Sequence, residues 1–297
     1  MGIRERVVPL LGAHAGRAHG ATGEGGDVTF AIDADAESFM ESFIGREAPG
    51  WAFYSEDRGL VAAEGAGHVL VVDPIDGTRP ALAGFESCCV SVAAAPLRDD
   101  VTMGEVTHGC VVEIPSGALF LAERGAGLLE APAVALSANE ELERAFLAYG
   151  FRGRPAVIQA TALGELIDAA SVGGGTFELG SAAYDMTRVL TGQLDTYAEP
   201  GPRIIADVPS TLADFRRVGR GAVLNNSPYD LAAAALCLTE GGAVVSDAYG
   251  EPLDSRPLLG SGAEFQMSVV ASANPRLHER VLGALDRGIA ALVRGKY

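Results

Sequence analysis

The chain has 297 residues, of which 48% are hydrophobic and only 6% are aromatic. This length supplies one large α/β unit or two joined domains, with a core built mainly from aliphatic side chains. The formal net charge of −17 argues against nucleic acid polymers and anionic membranes as partners, because long-range repulsion opposes association. An anionic substrate would need a locally positive centre, which bound divalent cations supply.

Cysteine usage and hydropathy bear on the compartment. None of the four cysteines forms a CxxC pair, which is typical of small buried residues in a reducing compartment. No apolar stretch near the start resembles a secretion signal, and none elsewhere approaches the roughly 20 residues of a membrane span. We therefore expect a cytoplasmic protein without a membrane anchor.

Hydrophobic spacing and turn residues predict the elements of the first half. In chain order they are a helix over 4–19 that Pro9 interrupts or shifts, a glycine-rich loop over 20–26, a short strand over 27–30, a helix over 33–44, and strands over 69–72, 88–95, 109–114 and 118–123. This pattern indicates a mostly antiparallel sheet flanked by helices. We expect it to form one domain, residues 1–131.

From residue 132 the pattern changes to alanine-rich helices that alternate with short strands. The predicted helices cover 160–171, 181–191 and 231–240, and a strand covers 243–246. Residues 200–228 are predicted to be the most irregular part. We expect a second α/β domain, residues 132–297.

The most informative segment is 71–78, which reads Val-Val-Asp-Pro-Ile-Asp-Gly-Thr. An aliphatic strand delivers Asp73 to its end, and Pro74 is expected to prevent ordinary continuation of the strand. Asp76 follows at a spacing that can turn it back toward Asp73. The two carboxylates and the Ile75 carbonyl suit a hard cation, and exposed amides suit phosphate oxygens. Asp-Pro and Asp-Gly are also common turn dipeptides, so this segment alone is equally compatible with an ordinary turn.

Other acidic segments change that balance. Glu56 and Asp57 follow a second apolar run, and Asp33 and Glu37 lie one helical turn apart. Either pair alone is typical of a solvated acidic surface. In order and spacing, however, the segments resemble the inositol monophosphatase and fructose-1,6-bisphosphatase superfamily of lithium-sensitive, metal-dependent phosphatases. The matching segments are 56–57, 73–78, 180–185, 192–199, 229–233 and 240–247.

The resemblance extends over nearly the whole chain and implies both a fold and an activity. The fold would be α/β of the layered α+β kind, an αβαβα sandwich of the sugar phosphatase type, assembled as a homodimer. The activity would be Mg²⁺-dependent hydrolysis of a small phosphate monoester, such as a sugar, cyclitol or related phosphate, by metal-activated water. Two or three Mg²⁺ ions would be bound.

The resemblance also implies roles for individual residues. The metal ligands would be Glu56, Asp73, Ile75 through its carbonyl, Asp76 and Asp230. The catalytic residues would be Asp33 and Thr78, as a dyad that orients and deprotonates water, together with Glu56. The substrate-binding residues would be Asp76, Gly77, Thr78, Gly180, Ser181, Ala182 and Glu199. Two of these also have ordinary interpretations: Ser181 as a helix N-cap, and Glu199 as a surface loop acid.

Two features depart from the family pattern. An asparagine usually follows the Gly-Thr step, whereas this chain has Arg79 and Pro80. In addition, 200–229 is inserted before the last metal aspartate. We hypothesise that this insertion is a lid whose arginines bind a second anionic group on the substrate; a dimer contact or a solvated loop is the alternative. The arginines are Arg203, Arg216, Arg217 and Arg220.

Two further functions stay open. The first is a nucleotidase that removes the 3'-phosphate of adenosine 3',5'-bisphosphate or a similar nucleotide, since such enzymes share the metal core. The second is a metal- or phosphate-binding regulatory protein that has lost catalysis, which the two departures motivate. The presence of every predicted metal carboxylate and of both dyad residues argues against the second function.

Overall fold

The structure is a computed structural model that describes residues 1–13, 19–22 and 28–295. The first half of the described chain contains helices and strands in the order α1 (Gly2–Val7), β1 (His19–Thr22), β2 (Val28–Phe30), α2 (Ala31–Glu47), β3 (Ala52–Ser55), β4 (Gly59–Val61), β5 (His68–Asp76), α3 (Thr78–Ala83), β6 (Cys89–Pro96), β7 (His108–Glu113), β8 (Leu119–Glu123) and β9 (Gly127–Glu130). The second half continues with β10 (Phe146–Tyr149), α4 (Ala156–Gly173), β11 (Gly175–Phe177), α5 (Ala182–Leu190), β12 (Thr196–Glu199), α6 (Gly201–Asp207), α7 (Leu212–Val218), α8 (Pro228–Glu240), β13 (Val244–Ser246), β14 (Val269–Ser272) and α9 (Pro275–Val293).

Two large sheets organise the described chain. The seven-stranded sheet has the order β4-β3-β5-β6-β7-β8-β9, and only its β3–β5 pair is parallel. The five-stranded sheet has the order β11-β10-β12-β14-β13, with β10 parallel to both of its neighbours. Strands β1 and β2 form a separate antiparallel pair.

The helices lie in three layers around these sheets. Helices α5 and α8 lie between the sheets, because both contact strands of the seven-stranded sheet and strands of the five-stranded sheet. Helix α2 packs on the outer face of the larger sheet, and α4 and α9 pack together on the outer face of the smaller one. The resulting α-β-α-β-α order confirms the predicted layered sandwich.

The central helix α8 approaches the large sheet closely because small residues meet at the contact. Its run of alanines, residues 232–235, is buried. Strand β7 presents Gly109, where a methyl group would lie only 2.6 Å from the carbonyl oxygen of Ala233. A helix that is apolar around most of its circumference needs partners on several sides, and the central layer provides them.

Most predicted elements are confirmed, and the bounds shift by a few residues. The predicted first helix is shorter than expected: α1 ends at Val7, a 3₁₀ turn covers Val8–Leu10, and 14–18 lie outside the described residues. The loop prediction for 20–26 is wrong at its start, because His19–Thr22 pair with β2; residues 23–27 lie outside the described part.

Two expectations about chain breaks are also corrected. Strand β5 continues through Pro74 to Asp76, although its pairing with β6 is irregular between Asp73 and Asp76. An edge or irregular position is where a strand tolerates proline, because no ladder donor is needed there. The segment 200–228 is not irregular throughout, since it contains α6 and α7 packed in a small hydrophobic cluster around Phe215.

The division into domains at residue 131 stays a prediction. The larger sheet ends at Glu130 and the smaller sheet begins at Phe146. One hydrophobic cluster nevertheless includes residues from both sheets and from the two central helices. Among the described residues, no helix combines the length and the apolar composition needed to cross a membrane.

Candidate metal and substrate site

Strand β5 carries two buried carboxylates at its C-terminal end. Asp73 and Asp76 are only 3% and 7% exposed. The backbone N–H of Ile75 donates to Asp73 Oδ1 at 2.9 Å, within the stretch where the pairing of β5 with β6 is irregular. Oxygens of the two carboxylates come within 4.8 Å of each other there, as the spacing predicts.

Helix α8 brings a third carboxylate to the same point from a distant part of the sequence. Asp230 lies in the first turn of α8, and its Oδ2 accepts a hydrogen bond from Ser227 N at 2.6 Å. Oxygen atoms of Asp73, Asp76 and Asp230 lie within 4.8 Å of one another. Glu56 follows the last residue of β3 and lines the same cavity. The structure therefore brings together the four acidic residues that sequence analysis singles out.

The electrostatics of this cluster favour a cation. Burial raises the pKa of Asp73 well above its usual range, and the charges of Asp76, Glu56 and Asp230 raise it further. Burial also raises the pKa of Asp76 to about 6, although hydrogen bonds to its carboxylate oppose this shift. The pKa of Asp230 rises to about 7, through burial and then the charge of Asp76. Like charges in low dielectric repel one another, so a bound cation would stabilise the ionised forms of these groups.

The donor set fits a hard divalent cation. Every candidate ligand is an oxygen atom, from carboxylates or from the Ile75 carbonyl, and Mg²⁺ and Ca²⁺ prefer such ligands. Histidine and cysteine are absent from the group that could hold an ion within the described residues. The Ile75 carbonyl is itself within hydrogen-bond distance of Thr78 Oγ1, at 3.1 Å.

Thr78 and Asp33 form the expected pair at the edge of the cluster. Thr78 Oγ1 lies 2.9 Å from Asp33 Oδ1. The other oxygen of Asp33 accepts from the backbone N–H of Phe30 at 2.9 Å, which fixes the carboxylate at the start of α2. The dyad therefore has a defined orientation, and its catalytic role stays a prediction.

Gly77 has a conformation that only glycine adopts without strain. Its φ is +92°, and a Cβ there would lie 2.5 Å from the carbonyl oxygen of Ser87 and 2.9 Å from Ser181 Cβ. Helix α3 begins directly after it at Thr78. This close packing keeps the backbone of residues 77–78 at the wall of the cavity.

The segment 180–182 lies against Asp76 rather than away from it. Ser181 Oγ donates to Asp76 Oδ2 at 2.8 Å, and the backbone N–H of Ala183 donates to the same oxygen at 2.6 Å. Ser181 Oγ also accepts from Tyr184 N at 3.3 Å, so the residue caps α5 while it orients Asp76. Gly180 lines the cavity directly.

Glu199 does not match its expected position facing a substrate. Its side chain has no exposed surface, and Oε2 accepts from Arg154 Nη2 at 2.8 Å. The other oxygen accepts from Gln159 Nε2 at 3.1 Å and from Gly201 N at 3.0 Å. The expected contact with a substrate hydroxyl is therefore corrected: a guanidinium and two N–H donors from the protein already satisfy this carboxylate.

The arginines of the insertion do not line the cavity either. Arg203 bonds Asp286 at 2.7 Å, and Arg217 bonds Asp214 at 2.9 Å. Neither these two nor Arg216 or Arg220 belong to the residues around the acidic cluster. The lid hypothesis is corrected in this respect, although the end of the insertion does contribute Leu224, Asn225 and Ser227 to the cavity wall.

Sequence reasoning missed the cations that do line the cavity. The cavity encloses about 560 Å³ of space between protein atoms, part of it open to solvent. Arg79 and Arg152 both contribute to its wall. Arg79 gave a signal in the sequence, because it follows Thr78 directly. Arg152 gave none, because it lies in a loop after β10 whose path depends on the tertiary fold.

Comparison with known proteins identifies the family. The chain matches the model of the inositol monophosphatase family over residues 7–290. It is 27% identical over 295 residues to the fructose-1,6-bisphosphatase/inositol-1-monophosphatase of Methanothermobacter thermautotrophicus, which covers 96% of this chain and 92% of that protein. It is 25% identical over 258 residues to the inositol-1-monophosphatase of Mesorhizobium japonicum, with 86% of each chain covered. In structure it is similar to the extragenic suppressor protein suhB from Bartonella henselae, with a TM-score of 0.73, 24% identity, and 97% and 95% of the two chains covered.

The family match over nearly the whole chain, together with an acidic cluster that could bind a metal, assigns the protein to the phosphoric monoester hydrolases. More specifically, the chain belongs to the inositol monophosphatase family. The family resemblance that the sequence motifs indicate is thereby confirmed.

Proposed function

We propose that this protein hydrolyses a small sugar, cyclitol or related phosphate monoester with Mg²⁺ held by Glu56, Asp73, Asp76, Asp230 and the Ile75 carbonyl. One observation carries the proposal: the oxygens of the buried Asp73 and Asp76 and of the partly buried Asp230 lie within 4.8 Å of one another. Burial and the repulsion of neighbouring carboxylates raise the pKa values of Asp73 and Asp230. Two or three ions would fit the number of acidic groups. When bound, they would neutralise phosphoryl oxygens, lower the pKa of water and stabilise the leaving alkoxide.

The residues of the chain have separate roles in this proposal. Thr78 Oγ1, bonded to Asp33, would accept the proton of the attacking water and pass it toward the carboxylate. The amides of 77–78 would hold phosphate oxygens at the start of α3. Ser181 and Ala183 hold Asp76 in position through its Oδ2. Direct attack by water then requires no covalent phosphoenzyme.

A substrate with a second anionic group is the second candidate, and Arg79 and Arg152 favour it. In a chain with a net charge of −17, two guanidinium groups at a cavity that already contains four carboxylates would suit further anionic oxygens. A sugar bisphosphate or an adenosine 3',5'-bisphosphate-like nucleotide meets this requirement. We also propose a cytoplasmic location, which the four free cysteines support, and a homodimer, which the family resemblance supports.

Phosphate release tests the proposal. We expect turnover on a panel of inositol phosphates, sugar phosphates, sugar bisphosphates and nucleotides that depends on Mg²⁺ and is abolished by EDTA. Asp76→Asn should lower the rate about 100-fold or more, because it removes a charge that holds the cation. Asp214→Asn is the matched control, since Asp214 is half-exposed and pairs with Arg217 outside the cavity. Tight Mg²⁺ binding without turnover on any substrate would instead indicate the regulatory protein without catalysis.

A further inference from the structure

The inserted segment contains a residue that can bind a substrate hydroxyl group, a contact that the buried Glu199 does not make. We propose that Asn225 is a specificity-determining residue that hydrogen-bonds a hydroxyl group on the organic part of the substrate. This inference rests on the proposed phosphatase function and adds a recognition residue to it. Its starting point is the buried position of Glu199, whose oxygens already accept bonds from Arg154, Gln159 and Gly201.

The backbone around Asn225 is anchored on both sides. Its N–H donates to Gln266 Oε1 at 3.2 Å, and Gln266 Nε2 donates to the carbonyl of Val223 at 2.6 Å. The carbonyl of Asn226 accepts from Met267 N at 2.9 Å. A polar side chain on a backbone held in this way has a defined position before any ligand binds, which lowers the entropic cost of recognition.

The side chain of Asn225 lies between two adjoining cavities. The first contains the acidic cluster, and the second contains about 430 Å³ of space between protein atoms, part of it open to solvent. Asn225 lines both of them. The two cavities also share Asp76, Arg152 and Gly180, so a group bound at Asn225 would be next to a phosphate held at the cluster.

The amide of Asn225 has no hydrogen-bond partner among the described residues. The residue is only 9% exposed, and both Oδ1 and Nδ2 are fully buried. Burial of an amide without partners is unfavourable, and native proteins rarely tolerate it without a reason. Its neighbour Asn226 behaves normally, because its amide oxygen accepts from Arg154 at 3.2 Å and its nitrogen donates to Tyr197 Oη at 3.3 Å.

The chemistry of an amide indicates which ligand would satisfy it. An amide presents one acceptor and one donor side by side, and a hydroxyl group is both a donor and an acceptor. Gly201 leaves room for the side chain of Asn225 itself, because a Cβ there would lie 2.2 Å from Asn225 Oδ1. A sugar or cyclitol phosphate offers such hydroxyls, whereas phenyl phosphate offers none.

Substrates with and without hydroxyl groups test the inference. We would compare myo-inositol 1-phosphate with phenyl phosphate, using wild type, Asn225→Ala and Asn225→Ser. Asn225→Ala should lower kcat/KM for the inositol ester about 10- to 100-fold, and should leave phenyl phosphate within about 2-fold. Asn225→Ser should recover part of the loss, because its hydroxyl restores a donor and an acceptor. Equal losses on both substrates, or no loss on either, would overturn the inference.

A binding measurement separates this inference from the proposed function. A ligand that binds the folded state raises the Tm whether or not it is hydrolysed. With Mg²⁺ present, inositol 1-phosphate should raise the Tm of wild type more than phenyl phosphate does, and Asn225→Ala should remove that difference. Absence of turnover with the difference intact would refute the proposed hydrolysis and support the role of Asn225. Identical shifts in wild type and Asn225→Ala would refute the role, even if both esters are hydrolysed.

Asn226→Ala provides the structural comparison. Asn226 bonds both Arg154 and Tyr197 inside the protein. Its loss should lower the Tm of the protein and reduce activity on both esters by a similar factor. If Asn225→Ala gives this same pattern, then Asn225 acts only through the fold.

Discussion

Two buried acidic regions of this molecule differ in where their compensating charge comes from. In the cluster of Asp73, Asp76 and Asp230, burial raises all three pKa values, and repulsion by neighbouring carboxylates raises those of Asp73 and Asp230 further. Glu199 is more deeply buried than any of them, yet Arg154 lies 2.8 Å away and is equally enclosed. Buried carboxylates therefore do not by themselves indicate a metal site. They do so where carboxylates outnumber the guanidinium groups beside them, as in the cavity whose four acidic residues are accompanied by Arg79 and Arg152, so that a cation from solution is needed to complete the balance.

The largest change in the free energy of unfolding should come from breaking the buried ion pair between Arg154 and Glu199. Arg154→Met leaves Glu199 buried without its partner, and the free energy of unfolding should fall by about 3–5 kcal/mol. The double variant Arg154→Met/Glu199→Leu should recover most of that loss, because no uncompensated charge remains. Urea unfolding measures both, and the exposed ion-pair variant Arg217→Ala should cost under about 1 kcal/mol. A single variant as stable as wild type would show that the ion pair does not hold this region.

A smaller change in the free energy of unfolding, in the stabilising direction, is expected for a substitution in the acidic cluster. In metal-free buffer, Asp73→Asn should raise the free energy of unfolding at pH 8 by about 1–2 kcal/mol, because it removes one of the repelling charges. The folded cluster binds protons more tightly than the unfolded chain, so wild-type stability should fall as pH rises through the raised pKa values of about 6 and 7 for Asp76 and Asp230.

Calorimetry from pH 5 to pH 8, with and without Mg²⁺, measures this dependence. Saturating Mg²⁺ should restore the stability of wild type at pH 8 and should help Asp73→Asn much less. Asp214→Asn, at a half-exposed position outside the cavity, should follow wild type throughout. Wild-type stability that rises with pH in EDTA would contradict the expected repulsion.

The smallest effect concerns the cations at the rim of the cavity. Arg152→Ala should lower kcat/KM for a sugar bisphosphate about 10-fold more than for the corresponding monophosphate, if a second anionic group binds there. Arg217→Ala is the matched control, because Arg217 pairs with Asp214 away from the cavity. Equal changes in kcat/KM on both substrates would show that Arg152 does not recognise a second anion and acts on the acidic cluster in general.

Local sequence was sufficient to predict the part of the site that local structure builds. An aliphatic strand followed by Asp-Pro-Ile-Asp-Gly-Thr predicts Asp73, Asp76 and Thr78 at one strand end, and the structure has them there. Asp230 was found through its place in the ordered family motifs, since nothing in its own surroundings connects it to a strand about 150 residues earlier. The layered fold followed from the same resemblance, while the strand at His19–Thr22 was missed because glycine-rich composition favours a loop.

Tertiary partners could not be predicted in this way. Arg154 and Glu199 are 45 residues apart, and neither carries a local signal that it pairs with the other. The insertion 200–228 looked irregular because its two short helices are stabilised by packing around Phe215 rather than by strong helix propensity. The positions of Asn225 and Arg152 at the cavity likewise depend on the path of loops in the folded protein, which local sequence does not predict.

The contact between α8 and the large sheet sets the geometry of the cluster from a distance. Asp230 is carried by the helix and Asp73 by the sheet, and Gly109 against Ala233 fixes how far apart those two supports stand. One methyl group added at Gly109 would push α8 away from the large sheet without altering any metal ligand. Substitutions in this apolar helix–sheet contact would therefore change the preference among cations of different radius, with every metal ligand left in place.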